Sequence, residues 1–260
     1  MMRSSRRGLF GLGAMLAFWG SARAAETSPE PLVFTLPGPT VPVEGSDKHF
    51  PVRRIYCIGR NYAEHAIESG SDPKTELPFF FQKPSDAVQF VAPGTTADHP
   101  YPTLTENYQH EIELVAFLKS GGRDIQAEQA LDHVYGYSIG LDMTRRDLQR
   151  AMGAQKKPWE IGKSFDHSAP MGPVHPVASV GHLTKGAITL AVNGTIRQKS
   201  DLSEMIWSVA EQIAQLSKAN ELQAGDMIYS GTPAGPGPVV RGDLLVGTIE
   251  GLPELSVRIV

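Results

Sequence analysis

From Pro51 onward, short apolar runs are separated by Gly, Pro and Asp, at 52–58, 79–82, 87–91, 110–118, 134–143, 187–192, 226–230, 243–249 and 255–260. Their length and their β-branched and aromatic content predict strands. Asn193-Gly194, set between Ala191-Val192 and Thr195-Ile196, is the dipeptide that closes a two-residue hairpin. Helical spacing is rarer. It predicts short helices over 61–69 and 124–131, and one over 144–153 with Thr144 as cap, Asp147 in the capping-box position and Gly153 as stop. A longer helix is predicted over 203–219, capped by Ser203, with Ile206, Trp207, Val209, Ala210, Ile213 and Leu216 near helical spacing. There is no regular strand-helix-strand alternation and no internal repeat. The pattern therefore predicts a β-rich α+β domain over 51–260, and residues 25–50, rich in Pro, read as an extended arm.

The first 24 residues differ from the rest. A basic run, Met2-Arg3-Ser4-Ser5-Arg6-Arg7, leads into the apolar stretch 8–20 and ends in Ala22-Arg23-Ala24, a small-x-small pattern. That order is the signature of a processed export signal, its apolar part too short to span a bilayer, with an uncleaved membrane anchor or a disordered tail as the alternative; the paired Arg6-Arg7 resembles a twin-arginine leader. A periplasmic location follows as an expectation, with a cytoplasmic one if the leader is not functional. Removing residues 1–24 would take away four arginines and no acid, so the mature chain is more acidic than the formal −4 of the whole.

Composition narrows the class. With 41% hydrophobic and 20% charged residues, the chain is neither disordered nor, at net −4, a basic nucleic-acid binder. Its one cysteine, Cys57, lies in the apolar run Arg54–Ile58 and reads as a core residue, so no internal disulfide supports the fold.

Candidate chemistry starts at His110-Glu111-Ile112-Glu113-Leu114. In a strand, Glu111 and Glu113 share one face while Ile112 and Leu114 share the other. Two carboxylates a pleat apart repel, and a bound cation would remove that cost; a solvated edge strand explains the pair equally well. Asp142, at the end of the run 134–141, is a third carboxylate, and three oxygen donors suit Mg²⁺, Mn²⁺ or Ca²⁺ better than zinc. His65 and Glu68 are three apart on a predicted helix, so the carboxylate can orient the imidazole as a general base, although by itself the spacing is more often that of an ordinary surface pair. Lys163 lies in a Gly/Ser-containing segment and can stabilise an oxyanion, and Arg146 and Gln149 can share a helix face toward Asp142; an exposed polar side chain is the alternative for each. The loop 231–238 offers backbone amides and the Thr232 hydroxyl to a carboxylate. It lacks the Gly-Lys-Ser/Thr ending of a phosphate loop, and His133, His167 and His175 read as structural.

Taken together, the segments IYCIGRNYAEHAIE, PFFFQKPSDA, HEIELVAFL, HVYGYSIGLDMTRRDLQ, KSFD, the NG-I-R-Q hairpin and GDMIYSGTPAG resemble, in order, the fumarylacetoacetate hydrolase family. The resemblance spans about 51–251 and is strongest to its bacterial acylpyruvate-cleaving members. It implies the family's mixed β fold with few helices, a homodimer, and a Mg²⁺ or Mn²⁺ site on Glu111, Glu113 and Asp142. It also implies a His65–Glu68 dyad on a lid helix, an active-site Lys163, and substrate contacts from Arg60, Arg146, Gln149 and Thr232. Pro236 departs from the family's usual loop. The implied activity is hydrolysis of the C–C bond of a small acylpyruvate, with no nucleic-acid partner and no membrane span after processing. Decarboxylation or keto-enol isomerisation of a 2-oxo acid is the alternative within the family, and an exported 2-oxo acid binding protein is the alternative outside it.

Overall fold

The strand Ile112–Leu118 is buried along its whole length, and its alternation explains why. Ile112, Leu114, Ala116 and Leu118 point into one apolar core, and Val115 and Phe117 into a second on the opposite face. In this computed structural model, which describes residues 32–74 and 77–260, that strand lies inside an eight-stranded mixed sheet. It pairs antiparallel with Val134–Leu141 on one side and with Asp226–Tyr229 on the other, and Asp226–Tyr229 runs parallel to Arg54–Ile58. Phe80–Lys83 and Val88–Phe90 stand at the two ends of the row. A five-stranded sheet containing Ala187–Val192, Leu244–Ile249 and Leu255–Ile259 covers the first core, contributing Ile188, Leu190, Leu245, Val257 and Ile259. Cys57 is a fully buried member of the second core, as its sequence context implied.

The Asn-Gly hairpin forms between Ala187–Val192 and Thr195–Asp201. Asn193 and Gly194 have φ of 51° and 77°, the positive pair that a two-residue hairpin turn requires.

Three expectations are corrected. The helix expected from Thr144 begins at Arg146 and runs to Ala154, beyond Gly153. Thr144 caps nothing, since it pairs as a short strand with Gln109 and its hydroxyl donates to the Asp142 carbonyl. Asp147 instead accepts from Thr105 and the Glu106 amide, which ties the helix to the preceding loop. The long helix spans Val209–Ala219, capped by Ser208 in a reciprocal box with Glu211; Ser203 lies in a separate single turn, Leu202–Glu204. The Ser-x-x-Glu spacing at 208–211 was the stronger signal, and apolar Ile206 and Trp207 masked it. Within the stretch read as an arm, Thr40–Pro42 pairs with His49–Pro51 and carries Val41 and Phe50, with Val43 beyond it, into the second core. The leader lies outside the described residues. Among those described, no helix is long and apolar enough to cross a membrane.

Candidate metal and catalytic site

Strand register builds the floor of the site. The pairing of Ile112 with Leu141 continues one step further, where the Asp142 amide donates to the Glu111 carbonyl, so these two acids sit opposite each other. Glu113, one pleat along, pairs with Gly140, which presents no side chain to crowd it. The result is three carboxylates with one oxygen each within 4.8 Å of the others. They are 4%, 1% and 1% exposed for Glu111, Glu113 and Asp142, so the solvated edge strand that Glu-x-Glu also allowed is not what forms.

Buried carboxylates need compensation, and three cations supply it. Lys163 Nζ donates 2.7 Å bonds to Glu111, Asp142 and the Thr144 hydroxyl, which uses all three of its N–H donors. Lys83 Nζ lies 2.8 Å from the other Asp142 oxygen and donates to the carbonyls of Met143 and Lys163. Arg146 pairs with Glu111, and its remaining donors reach Gln109 at 2.8 Å and Gln149 at 2.6 Å. Arg146 and Gln149 thus share a face as expected, but the arginine meets Glu111 rather than Asp142. Burial alone would raise the Glu111 carboxyl, yet Lys163 and Arg146 outweigh it and hold that group well below the carboxylate range. Among the described residues Glu113 accepts only from the Gly231 amide, at 2.8 Å, and burial together with Asp142 and Glu111 pushes its carboxyl well up. Burial acts against the Lys163 ammonium, but Asp142 and Glu111 prevail and raise it.

This oxygen set fits a hard divalent cation. Three buried carboxylates converge, and one of them is poorly satisfied without added positive charge.

Local packing brings Lys163 here. It ends the short helix Glu160–Lys163, and Gly162 lets that turn press against the helix Arg146–Ala154, because a Cβ on Gly162 would lie 2.7 Å from the Gln149 backbone.

The dyad enters from the other side. His65 and Glu68 lie on the helix Ala63–Glu68, with Nδ1 3.6 Å from the Glu68 carboxylate. His65 is buried, and Glu68 is half exposed and accepts from the Gly235 amide at 3.2 Å. Burial lowers the His65 imidazole below its ordinary value; Glu111 opposes this, and Arg146 and Lys163 add to it. A neutral ring able to accept a proton is the outcome. Asn61, fully buried, pins the start of this helix by bonding both Trp207 backbone groups and the Ser230 carbonyl.

All ten candidate residues line one cavity of about 420 Å³, together with Phe81, Gln109, Arg150, Trp159 and Pro236. Thr232 donates to the Ile112 carbonyl and accepts from Gln198, which also contacts His110. Arg60 lies over Phe79 and Trp159 at 5.3 and 5.7 Å and donates to Ser71. His133 contacts Ser120 and His175 sits in a short strand, both away from the cavity lining. Sequence reasoning missed Lys83, Asn61 and Gln198. Lys83 carried a signal, a cation closing the aromatic run Phe79-Phe80-Phe81, whereas the long-range partners of Asn61 and Gln198 carried none.

Residues 54–260 match the family model for the C-terminal region of fumarylacetoacetate (FAA) hydrolase. The chain belongs to the fumarylacetoacetate hydrolase family. Among relatives of this family, a fumarylpyruvate hydrolase from Ralstonia sp is 40% identical over 188 residues, covering 72% of this chain and 95% of that protein. The mitochondrial oxaloacetate decarboxylase of Dictyostelium discoideum is 36% identical over 200 residues, covering 77% and 90%. The solved fumarylpyruvate hydrolase of Pseudomonas aeruginosa, in complex with Mn²⁺ and pyruvate, superposes with a TM-score of 0.87 at 55% identity, covering 88% of this chain and 99% of that one. Family membership and the strand-rich family fold are therefore shared, and the acidic floor has the donor set to hold a divalent metal ion.

Proposed function

We propose that this protein hydrolyses the C–C bond of an acylpyruvate, fumarylpyruvate being the best-supported substrate. The observation that carries the proposal is the convergence, in one cavity, of a buried carboxylate triad with a buried histidine. The 55% identity to the Pseudomonas enzyme supports the choice of substrate.

Glu111, Glu113 and Asp142 would hold Mg²⁺ or Mn²⁺, which supplies Lewis-acid charge where negative charge develops on the pyruvate end. His65 takes a proton from water, and the hydroxide adds to the distal acyl carbonyl. Collapse of that tetrahedral centre breaks the bond to the pyruvate methylene. The bonding pair leaves with pyruvate as its enolate, and the His65 imidazolium returns the proton at carbon to give pyruvate and a carboxylate. Glu68 holds the imidazole in orientation. Lys163 is committed to the acids of the floor, and a cation taking over those oxygens would free an N–H for the acyl oxyanion. Arg146, Gln149, Thr232 and Arg60 would position the substrate.

The test is incubation of purified protein with fumarylpyruvate, with Mn²⁺, Mg²⁺ or chelator, following loss of the enol absorbance and release of pyruvate. No metal-dependent cleavage would sink the proposal. Decarboxylation or keto-enol isomerisation of a 2-oxo acid is the second reading, supported by the Dictyostelium relative. Neither reaction needs nucleophilic water, so metal-dependent turnover of oxaloacetate without cleavage of fumarylpyruvate would favour that reading. We also propose that the enzyme is exported to the periplasm and works as a homodimer. Fractionation with sizing of the mature chain, and light scattering, test these two points.

A further inference from the structure

The helix Arg146–Ala154 turns a single stripe toward the cavity: Arg146, Gln149, Arg150, Gly153 and Ala154, spaced by three and four. Its chemistry changes along the axis. Arg146 and Gln149 are buried and bonded into the floor, whereas Arg150, about 6 Å along the axis from Arg146, is exposed. Among the described residues no hydrogen bond, ion pair or ring contact engages Arg150, although it lines the cavity. A cation lining a cavity without a protein partner is available to an anion.

Between floor and mouth the lining is aromatic. Phe81 lies under the Lys163 ammonium at 5.0 Å, and Trp159, 6.0 Å from Phe81, lies against the Arg60 guanidinium and beside Gly153. Along this helix the lining passes from the cation-balanced acids of the floor, past Phe81 and Trp159, to the Arg150 guanidinium, and Glu68 is the one acid of the lining outside the floor. A ligand matching that order is negative at both ends and apolar between.

We propose that Arg150 is a specificity residue that binds a second carboxylate at the far end of the acyl group, so that the enzyme selects 2-oxo acids ending in a distal acid. This rests on the 2-oxo acid reading of the floor and deepens it, because it fixes the charge of the distal acyl end.

The test reads binding apart from turnover. Calorimetry on the Mn²⁺-loaded protein compares 2-oxoheptanedioate with 2-oxoheptanoate, two chains that differ in the terminal carboxylate. The wild type is expected to favour the diacid by about tenfold at low salt, and Arg150→Gln to abolish the preference. Arg150→Lys should restore part of it. Arg123→Gln, which removes equal charge from a surface pair with Glu221, should leave the preference intact. In parallel, the ratio of kcat/KM for fumarylpyruvate to that for acetylpyruvate should fall about tenfold in Arg150→Gln, chiefly through KM. Absence of a diacid preference in the wild type, or its survival in Arg150→Gln, overturns the proposal. If the wild type cleaves neither acylpyruvate yet loses its diacid preference on Arg150→Gln, the hydrolase reading falls while Arg150 keeps its role.

Discussion

At the floor of the cavity, three carboxylates are fixed by antiparallel register and balanced by Lys163, Lys83 and Arg146, all nine-tenths or more buried. At the mouth, His65 and Glu68 ride on a helix of six residues that has no side-chain cap. The Asn61 anchor at one end and the Gly235 amide at the other hold it. The floor is rigid because moving any one acid would strand a buried charge, which costs several kcal/mol. A helix this short has little stability of its own and depends on those two ties. Charge is placed by the sheet, and the proposed general base is placed on a short helix held from outside itself.

The sharpest way to break this division is to remove one acid from the floor. Glu113→Gln should lower Mn²⁺-dependent kcat about 10⁴-fold, the several kcal/mol that a Lewis-acid cation contributes. Mn²⁺ affinity by calorimetry should fall with it. Equal Mn²⁺ affinity in the variant would mean that Glu113 does not ligate.

A change at the mouth should separate the two regions. His65→Ala is expected to cut hydrolysis about 10³-fold while leaving Mn²⁺ affinity within a factor of about two. The pH profile adds a sign. A general base must be neutral, and burial lowers the His65 imidazole, so the acid limb of kcat/KM should fall at a pH below the ordinary 6.5. A cation on the triad pushes in the same direction. A limb centred above 6.5 would remove His65 from that role.

Lys163 tests the floor from its cationic side. In Lys163→Met, Glu111 and Asp142 lose their shared partner, and the metal-free protein should unfold with about 3 kcal/mol less stability in urea. Mn²⁺ should recover part of that loss, because it replaces positive charge at the same oxygens. A variant as stable as wild type without metal would show that Lys83 and Arg146 suffice.

The two regions were unequally legible in the sequence. Glu111, Glu113 and Asp142 could be found because strand alternation and the end of an apolar run are one-dimensional signals, and register then does the rest. His65 and Glu68 were visible as a three-residue spacing, but that spacing said nothing of the burial that neutralises the imidazole. Lys163 was read as poised for an oxyanion, whereas its donors are spent on two acids and Thr144, a pairing across 52, 21 and 19 residues that no local pattern encodes. The misplaced caps at Thr144 and Ser203 have the same origin. Each is a plausible local cap, but Thr144 is claimed by Gln109 and Asp142, and Ser208 has the better partner in Glu211.

The smallest expected effect is at Glu68, the more exposed member of the pair. The carboxylate is 50% exposed on its side chain and 3.6 Å from the imidazole, too far for a strong hydrogen bond, and solvent screens much of its charge. Glu68→Gln preserves the acceptor for the Gly235 amide and removes only the charge, so kcat should fall about tenfold rather than a thousandfold. Glu68 is one of the groups that raise the His65 imidazole, so losing it should move the acid limb to still lower pH. Raising the salt concentration should shift the wild-type limb the same way and the variant's much less, because screening and mutation remove the same interaction. An acid limb that stays fixed in Glu68→Gln would mean that the helix orients His65 by its backbone alone, with the Asn61 anchor, not Glu68, as the positioning group.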